Sequence, residues 1–213
     1  MCYSLEISIA IYLLSLPIFT FFALSNKLDY KFLGLIYVYI IQMQLLEGLM
    51  WYDQKCQGLN QIVSRISYYF ILCQPLVIFL ATVYINSLRK QPINQILILL
   101  MIPYFLYLLY HLKTKFTQDE LCTLPYKNQK HWLVWKWNKF KMPIIWFVSL
   151  FIPLVISNVF KPSPIVIFTI MYILVTLVLS NTLSPMKFSG GSLWCFSQGA
   201  LPILLLSNYV LGK

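Results

Sequence analysis

ISYYFILCQPLVIFLATVYIN, residues 66–86, decides the fold. It passes from Ile66 to Asn86 without one charged side chain. About 20 apolar residues let a helix cross the hydrocarbon core of a bilayer, whereas a barrel strand needs only about 10. In lipid every backbone polar group must be satisfied within the protein, so an unbroken run of this length is a helix. Working outward, six further runs share its character: 5–24 and 32–52 before it, and 94–112, 143–160, 164–182 and 194–211 after it. The expectation is an all-α protein, a polytopic bundle of seven transmembrane helices forming one domain over residues 1–213. The last run is the weakest, because it carries Ser197, Gln198, Pro202 and Asn208. Most connectors are short and punctuated, as at Ser25-Asn26-Lys27 and Lys161-Pro162-Ser163-Pro164, so successive helices should be antiparallel neighbours.

Composition supports this. Apolar residues make up 60% of the chain and charged residues 10%, against roughly 25% charged in soluble proteins. Mean hydropathy is +0.74. The net charge of +10 does not point to nucleic acid, because Lys and Arg sit in connectors between apolar runs, where they set topology and meet anionic headgroups. The N-terminus has Glu6 where a signal peptide carries a basic residue, so the first run is expected to be retained. There is no N-x-S/T sequon, and no three-plus-three repeat of the kind seen in many transporters.

Seven crossings define two faces. The first face receives the N-terminus and connectors 53–65, 113–142 and 183–193. The second receives 25–31, 87–93, 161–163 and the C-terminus. Lys plus Arg number 10 on the first face and 6 on the second. The positive-inside rule therefore predicts a cytoplasmic N-terminus and a C-terminus on the opposite side. The unusual residues also gather toward the first face: the five cysteines, the six tryptophans, both histidines and every acid except Asp29. Interfacial Trp belts and the sheer length of 113–142 account for part of that bias.

Ionisable groups inside a span are costly and mark sites by default. Glu47 is the clearest, on a helical stripe with Gln44 and Trp51. Gln74 precedes Pro75, whose ring removes a helix hydrogen bond and frees a carbonyl one turn back. Gln198 lies near Gly199 and Pro202. Glu6, Glu47, Gln74 and Gln198 are therefore the expected polar cluster, with Gln44, Trp51 and Trp194 beside it as pathway or binding residues. Interhelical hydrogen bonding explains the glutamines equally well.

The cysteines allow ordinary thiols, disulfides or a metal or redox site. Without a C-x-x-C or H-x-x-x-H spacing no choice follows. Cys2, Cys56 and Cys195 are the candidates for both metal and disulfide, Cys2 with Cys56 or Cys195 being the first pairing to test. The segment 131–141 interleaves Trp132, Trp135 and Trp137 with Lys136, Lys139 and Lys141. Beside a membrane it reads first as an interfacial anchor, and alternatively, with 120–126, as a small hairpin.

Several functions are excluded. The last run has no lysine for a retinal Schiff base, and the spans lack the histidines of a zinc hydrolase. No G-x-S-x-G, phosphate loop, H-E-x-x-H or T-V-G-Y-G occurs. Met1-Cys2-Tyr3-Ser4, Glu47 with Trp51, Cys56 with Asn60, Gln74-Pro75 and Gly191-Ser192-Leu193-Trp194-Cys195 together resemble uncharacterised multi-span membrane proteins of large DNA viruses of protists and of some protists. That group carries no established activity, so the resemblance implies only that Cys2, Glu47, Cys56, Gln74 and Trp194-Cys195 belong together. The functional expectation is a small-solute or ion pathway centred on Glu47. The alternatives are a structural or accessory subunit of a membrane assembly, and a redox or metal enzyme using first-face thiols. The expected partners are the lipid bilayer and other membrane proteins or further copies of the chain, not nucleic acid. No particular cofactor or membrane is implied.

Overall fold

The computed structural model describes residues 4–90, 94–125, 133–136, 144–160, 162–183 and 198–211, and these are mostly helical. α1 (Leu5–Leu24) starts where the Ser4 hydroxyl accepts the Ile7 N–H at 3.3 Å, satisfying one donor of the unpaired first turn. α2 (Leu28–Ile40) runs almost directly into α3 (Gln42–Tyr52). Ile41 keeps helical angles, and the Gln44 N–H reaches back three residues to its carbonyl at 2.9 Å. This is a tightened 3₁₀-type turn, and Leu28–Tyr52 remains one apolar run of 25 residues.

α4 (Leu59–Leu88) has 30 residues and is therefore about 45 Å long. α5 (Asn94–His111) follows. A two-stranded antiparallel hairpin comes next, β1 (Thr123–Pro125) with β2 (Leu133–Trp135), in a register that sets Leu124 opposite Val134. α6 (Ile144–Phe160), α7 (Pro164–Leu183), a 3₁₀ turn at Gln198–Ala200 and α8 (Leu201–Leu211) complete the chain. α1, the α2–α3 run and α4 are long and apolar enough to cross a membrane; the later helices contribute shorter apolar stretches. Each expected run thus falls on a helix. α4 begins seven residues earlier than its apolar run, and the last run is helical only from Gln198 within the described residues.

The outward faces are hydrocarbon. Leu13, Phe21 and Leu24 on α1, Leu99 and Leu106 on α5, and Val175 and Val178 on α7 are exposed. Such surfaces suit lipid rather than water. Inside, α4 is the axis against which α2, α3, α5 and α6 pack. α1 lies close along α2, with Phe19 stacked on Tyr37 at 4.7 Å between centroids.

Pro75 shows why the axis needs its neighbours. Lacking an N–H, it cannot pair the Ile71 carbonyl one turn back. The Trp146 indole N–H of α6 donates to that carbonyl at 3.0 Å. The Tyr104 hydroxyl of α5 donates to the next carbonyl, Leu72, and Tyr39 of α2 donates to Phe70 at 2.9 Å. Three aromatic donors from three helices thus collar the proline break. Trp146→Phe should lower stability by about 1 kcal/mol, the worth of an interhelical hydrogen bond in lipid. A thermal midpoint in detergent unchanged by the substitution would show that the Ile71 carbonyl finds another donor.

The segment read first as an interfacial anchor is, at 133–135, the buried half of the hairpin. Leu133 and Trp135 are buried, so packing against the bundle outweighs a place among headgroups. Residues 126–132 and 137–143 lie outside the described residues.

Candidate functional site

Glu47 is completely buried in α3, and Gln44, three residues earlier, is 2% exposed. Trp51 continues the stripe one turn on, half-buried and packed against the core. α1 packs against α3 at the residue after Glu47. A Cβ added to the adjacent Gly48 would lie 3.0 Å from the Ile9 side chain and 3.7 Å from Leu5. The same helix pair is tied by Gln42, whose amide NH₂ donates to the Val38 carbonyl at 2.9 Å while its oxygen accepts the Tyr12 hydroxyl at 3.1 Å. Gln42 was not among the expected residues. Its signal was a second amide, beside Gln44, in an otherwise apolar run.

Glu6 and Gln74 of the expected cluster sit in surroundings unlike that of Glu47. Glu6 lies exposed in the first turn of α1. Gln74 is buried but lines a separate apolar pocket with Leu33, Tyr37, Leu150, Leu154 and Ile173. Gly199, beside Gln198, abuts Ile11 of α1. Ile9 and Ile11 are two residues apart, about 200° around a helix. α1 therefore stands between Gly48, next to Glu47, and Gly199, next to Gln198. The side chain of Gln198, and Cys2, Trp194 and Cys195 entirely, lie outside the described residues.

The tightest polar construction is one the sequence did not single out. Cys56, before α4, forms a disulfide with Cys122, before β1, across a Cα separation of 4.8 Å. The expected pairing of Cys56 with Cys2 is thus corrected. The cause lies in long-range docking. Fully buried Asn60 receives the Thr123 N–H on its Oδ1 at 3.0 Å and donates through Nδ2 to the Thr123 carbonyl at 2.9 Å. Its side chain thereby acts as a strand partner for the residue next to Cys122. Ser64 and Thr123 hydroxyls lie 2.7 Å apart, and Asp53 accepts the backbone N–H groups of Lys55 and Asn60, each at 3.1 Å. One turn on from Ser64, the Tyr68 hydroxyl lies 2.6 Å from His111 Nδ1, an α4–α5 contact.

Among the described residues no three His, Cys, Asp or Glu side chains come together as a metal site. Cys56, joined to Cys122, offers no thiolate. Cys73 is a free thiol, half-buried within α4. The chain matches no known protein family, no curated protein and no solved structure.

Proposed function

We propose that the chain is a multi-pass membrane protein of seven crossings that forms a pathway for an ion or small solute, with Glu47 as its titratable centre. One observation carries this reading: a carboxyl group wholly buried in an apolar span, one turn from a buried glutamine. An acid within a membrane helix is costly and is kept where ions or protons are handled. In the described conformation Glu47 does not line the apolar pocket, so passage requires α1, α3 and α4 to part. The interrupted hydrogen bonding of α4 at Pro75 supplies a hinge.

The sidedness we favour is the reverse of the Lys and Arg count. A stable cystine belongs to an oxidising compartment, which places the first face, with Cys56 and Cys122, outside or in a lumen. Seven first-face cations belong to the 113–142 segment, part of which is a buried hairpin. Setting that segment aside leaves Lys55, Arg65 and Lys187 against six on the second face, and the short connectors then agree with the cystine.

Purified protein in liposomes should carry proton or monovalent-cation flux above protein-free vesicles. Glu47→Gln should reduce that flux at least about tenfold, a barrier change near 1.4 kcal/mol, while the cystine and thermal midpoint persist. Wild-type flux no higher than that of protein-free vesicles would refute the pathway. The second reading, an accessory subunit, would then stand. It draws on the exposed apolar faces of α5 and α7, and in-membrane crosslinking should reveal its neighbours.

A further inference from the structure

We infer that the second face carries a platform for the headgroup of an anionic phospholipid, formed by Lys27, Lys31 and Lys90 around the Arg89–Asp29 ion pair. That pair joins the C-terminal end of α4 to the first turn of α2, 60 residues away in sequence. The Arg89 side chain is only 7% exposed, so the Asp29 charge is already claimed from within. Three lysines adjoin the pair in sequence: Lys27 and Lys31 lie two residues to either side of Asp29, and Lys90 follows Arg89. Among the described residues Arg89 is the cation paired with that carboxylate.

Two of the lysines sit where local structure disfavours them. Lys27 holds the N-cap of α2 and makes no capping bond, although cations oppose the positive end of a helix dipole. Lys90 is exposed and has φ +55°, in the left-handed region just past a helix end that favours glycine. Neither backbone position favours a lysine, and each puts an exposed cation at the ends of α2 and α4 that the Arg89–Asp29 pair joins.

The depth matches a headgroup. Lys27 Nζ lies 4.4 Å from the Tyr209 ring and 5.8 Å from that of Tyr30. Those rings pack edge-to-face, and the Tyr30 hydroxyl donates to Asn208 of α8 at 2.7 Å. Aromatic rings with lysines above them mark the membrane–water boundary. Immediately below, Leu24 and Leu88 expose hydrocarbon. An anionic headgroup with its acyl chains presents the complementary order of charge and hydrocarbon. On the sidedness proposed above, this surface also faces the leaflet that carries anionic lipid, but binding itself does not rest on that sidedness or on the role of Glu47.

The test uses the full chain in detergent, with lipid adducts counted by native mass spectrometry. The probes are phosphatidylglycerol, phosphatidylcholine and inorganic phosphate. Wild-type protein should retain phosphatidylglycerol over phosphatidylcholine, and each lysine neutralised should reduce that preference about fivefold. The Lys27→Gln, Lys31→Gln, Lys90→Gln triple variant should abolish it. Lys90→Gly should weaken the preference while raising the thermal midpoint, because glycine relieves the backbone at that position; this arm stands even where the triple variant fails to fold. Equal retention of the two lipids by the wild type, an unchanged preference in Lys90→Gly, or displacement of the lipid by millimolar inorganic phosphate would overturn the proposal.

Discussion

Gly34→Ala is expected to cost about 3 kcal/mol or more, at the upper end of overpacking penalties, and Gly34→Leu to prevent the α1–α2 pair from closing. A Cβ at Gly34 would lie 2.1 Å from the Ala23 backbone nitrogen and 2.6 Å from the Phe22 carbonyl carbon. These are backbone atoms that no rotamer change can move, so the two helices must separate. Separation undoes the Phe19–Tyr37 stack and the buried Phe22 contact with Tyr30. Membrane helices rely on small residues for such approach, because the hydrophobic effect does not drive them together in lipid. Gly58→Ala is the control. Gly58 has φ +72° and ψ −123° with open space around it, a mirror-β conformation open to glycine, so alanine there meets only a backbone cost of about 1–3 kcal/mol. Thermal midpoints of the two variants in the same detergent decide the matter. A Gly34→Ala loss no greater than that of Gly58→Ala would mean that the close approach does not exist.

Breaking the Cys56–Cys122 bond is the second large effect. The bond closes a span of 66 residues, for which chain-entropy arguments give about 4 kcal/mol. In a bilayer the loss should appear as undocking of the hairpin from the head of α4 rather than as global unfolding, because inserted helices remain inserted. Cys56→Ser with Cys122→Ser, or strong reductant, should lower the midpoint and open the segment before β1 to protease. Asn60→Ala should reproduce much of the undocking with the cystine intact, since it removes two buried hydrogen bonds to Thr123 and a part-buried one to the Asp53 carbonyl. Labelling of Cys56 and Cys122 by maleimide without reductant would show that the bond does not form.

Which parts of this fold could be read from residues alone follows from the range of the forces. Helix positions were legible because lipid leaves the backbone no alternative, and the apolar runs coincide with helices within a few residues except where α4 extends to Leu59. That extension is polar, carrying Asn60, Ser64 and Arg65, and it is helical because Asn60 and Ser64 dock β1, a contact about 60 residues distant. The freed carbonyl at Pro75 was foreseeable; that Trp146 would pair it was not, because the two are far apart in sequence. Of the candidate site, the stripe shared by Gln44 and Glu47, both of which are buried, followed from helical spacing. The exposure of Glu6 and the apolar pocket around Gln74 depend on which faces α1 and α4 present, and apolar helices with little amphipathic asymmetry do not encode that locally.

The crosslink between Cys56 and Cys122 also obeys a rule of parity. Two thiols can be oxidised to one another only on the same side of roughly 30 Å of hydrocarbon. Whatever carries the chain across after residue 56 must bring it back before residue 122, so if α4 is an outward leg, α5 is an obligatory return leg despite its shorter apolar stretch. An insertion error that left α5 uncrossed would strand the two sulfurs on opposite sides, and the finished bond is therefore a covalent receipt for correct insertion of that hairpin.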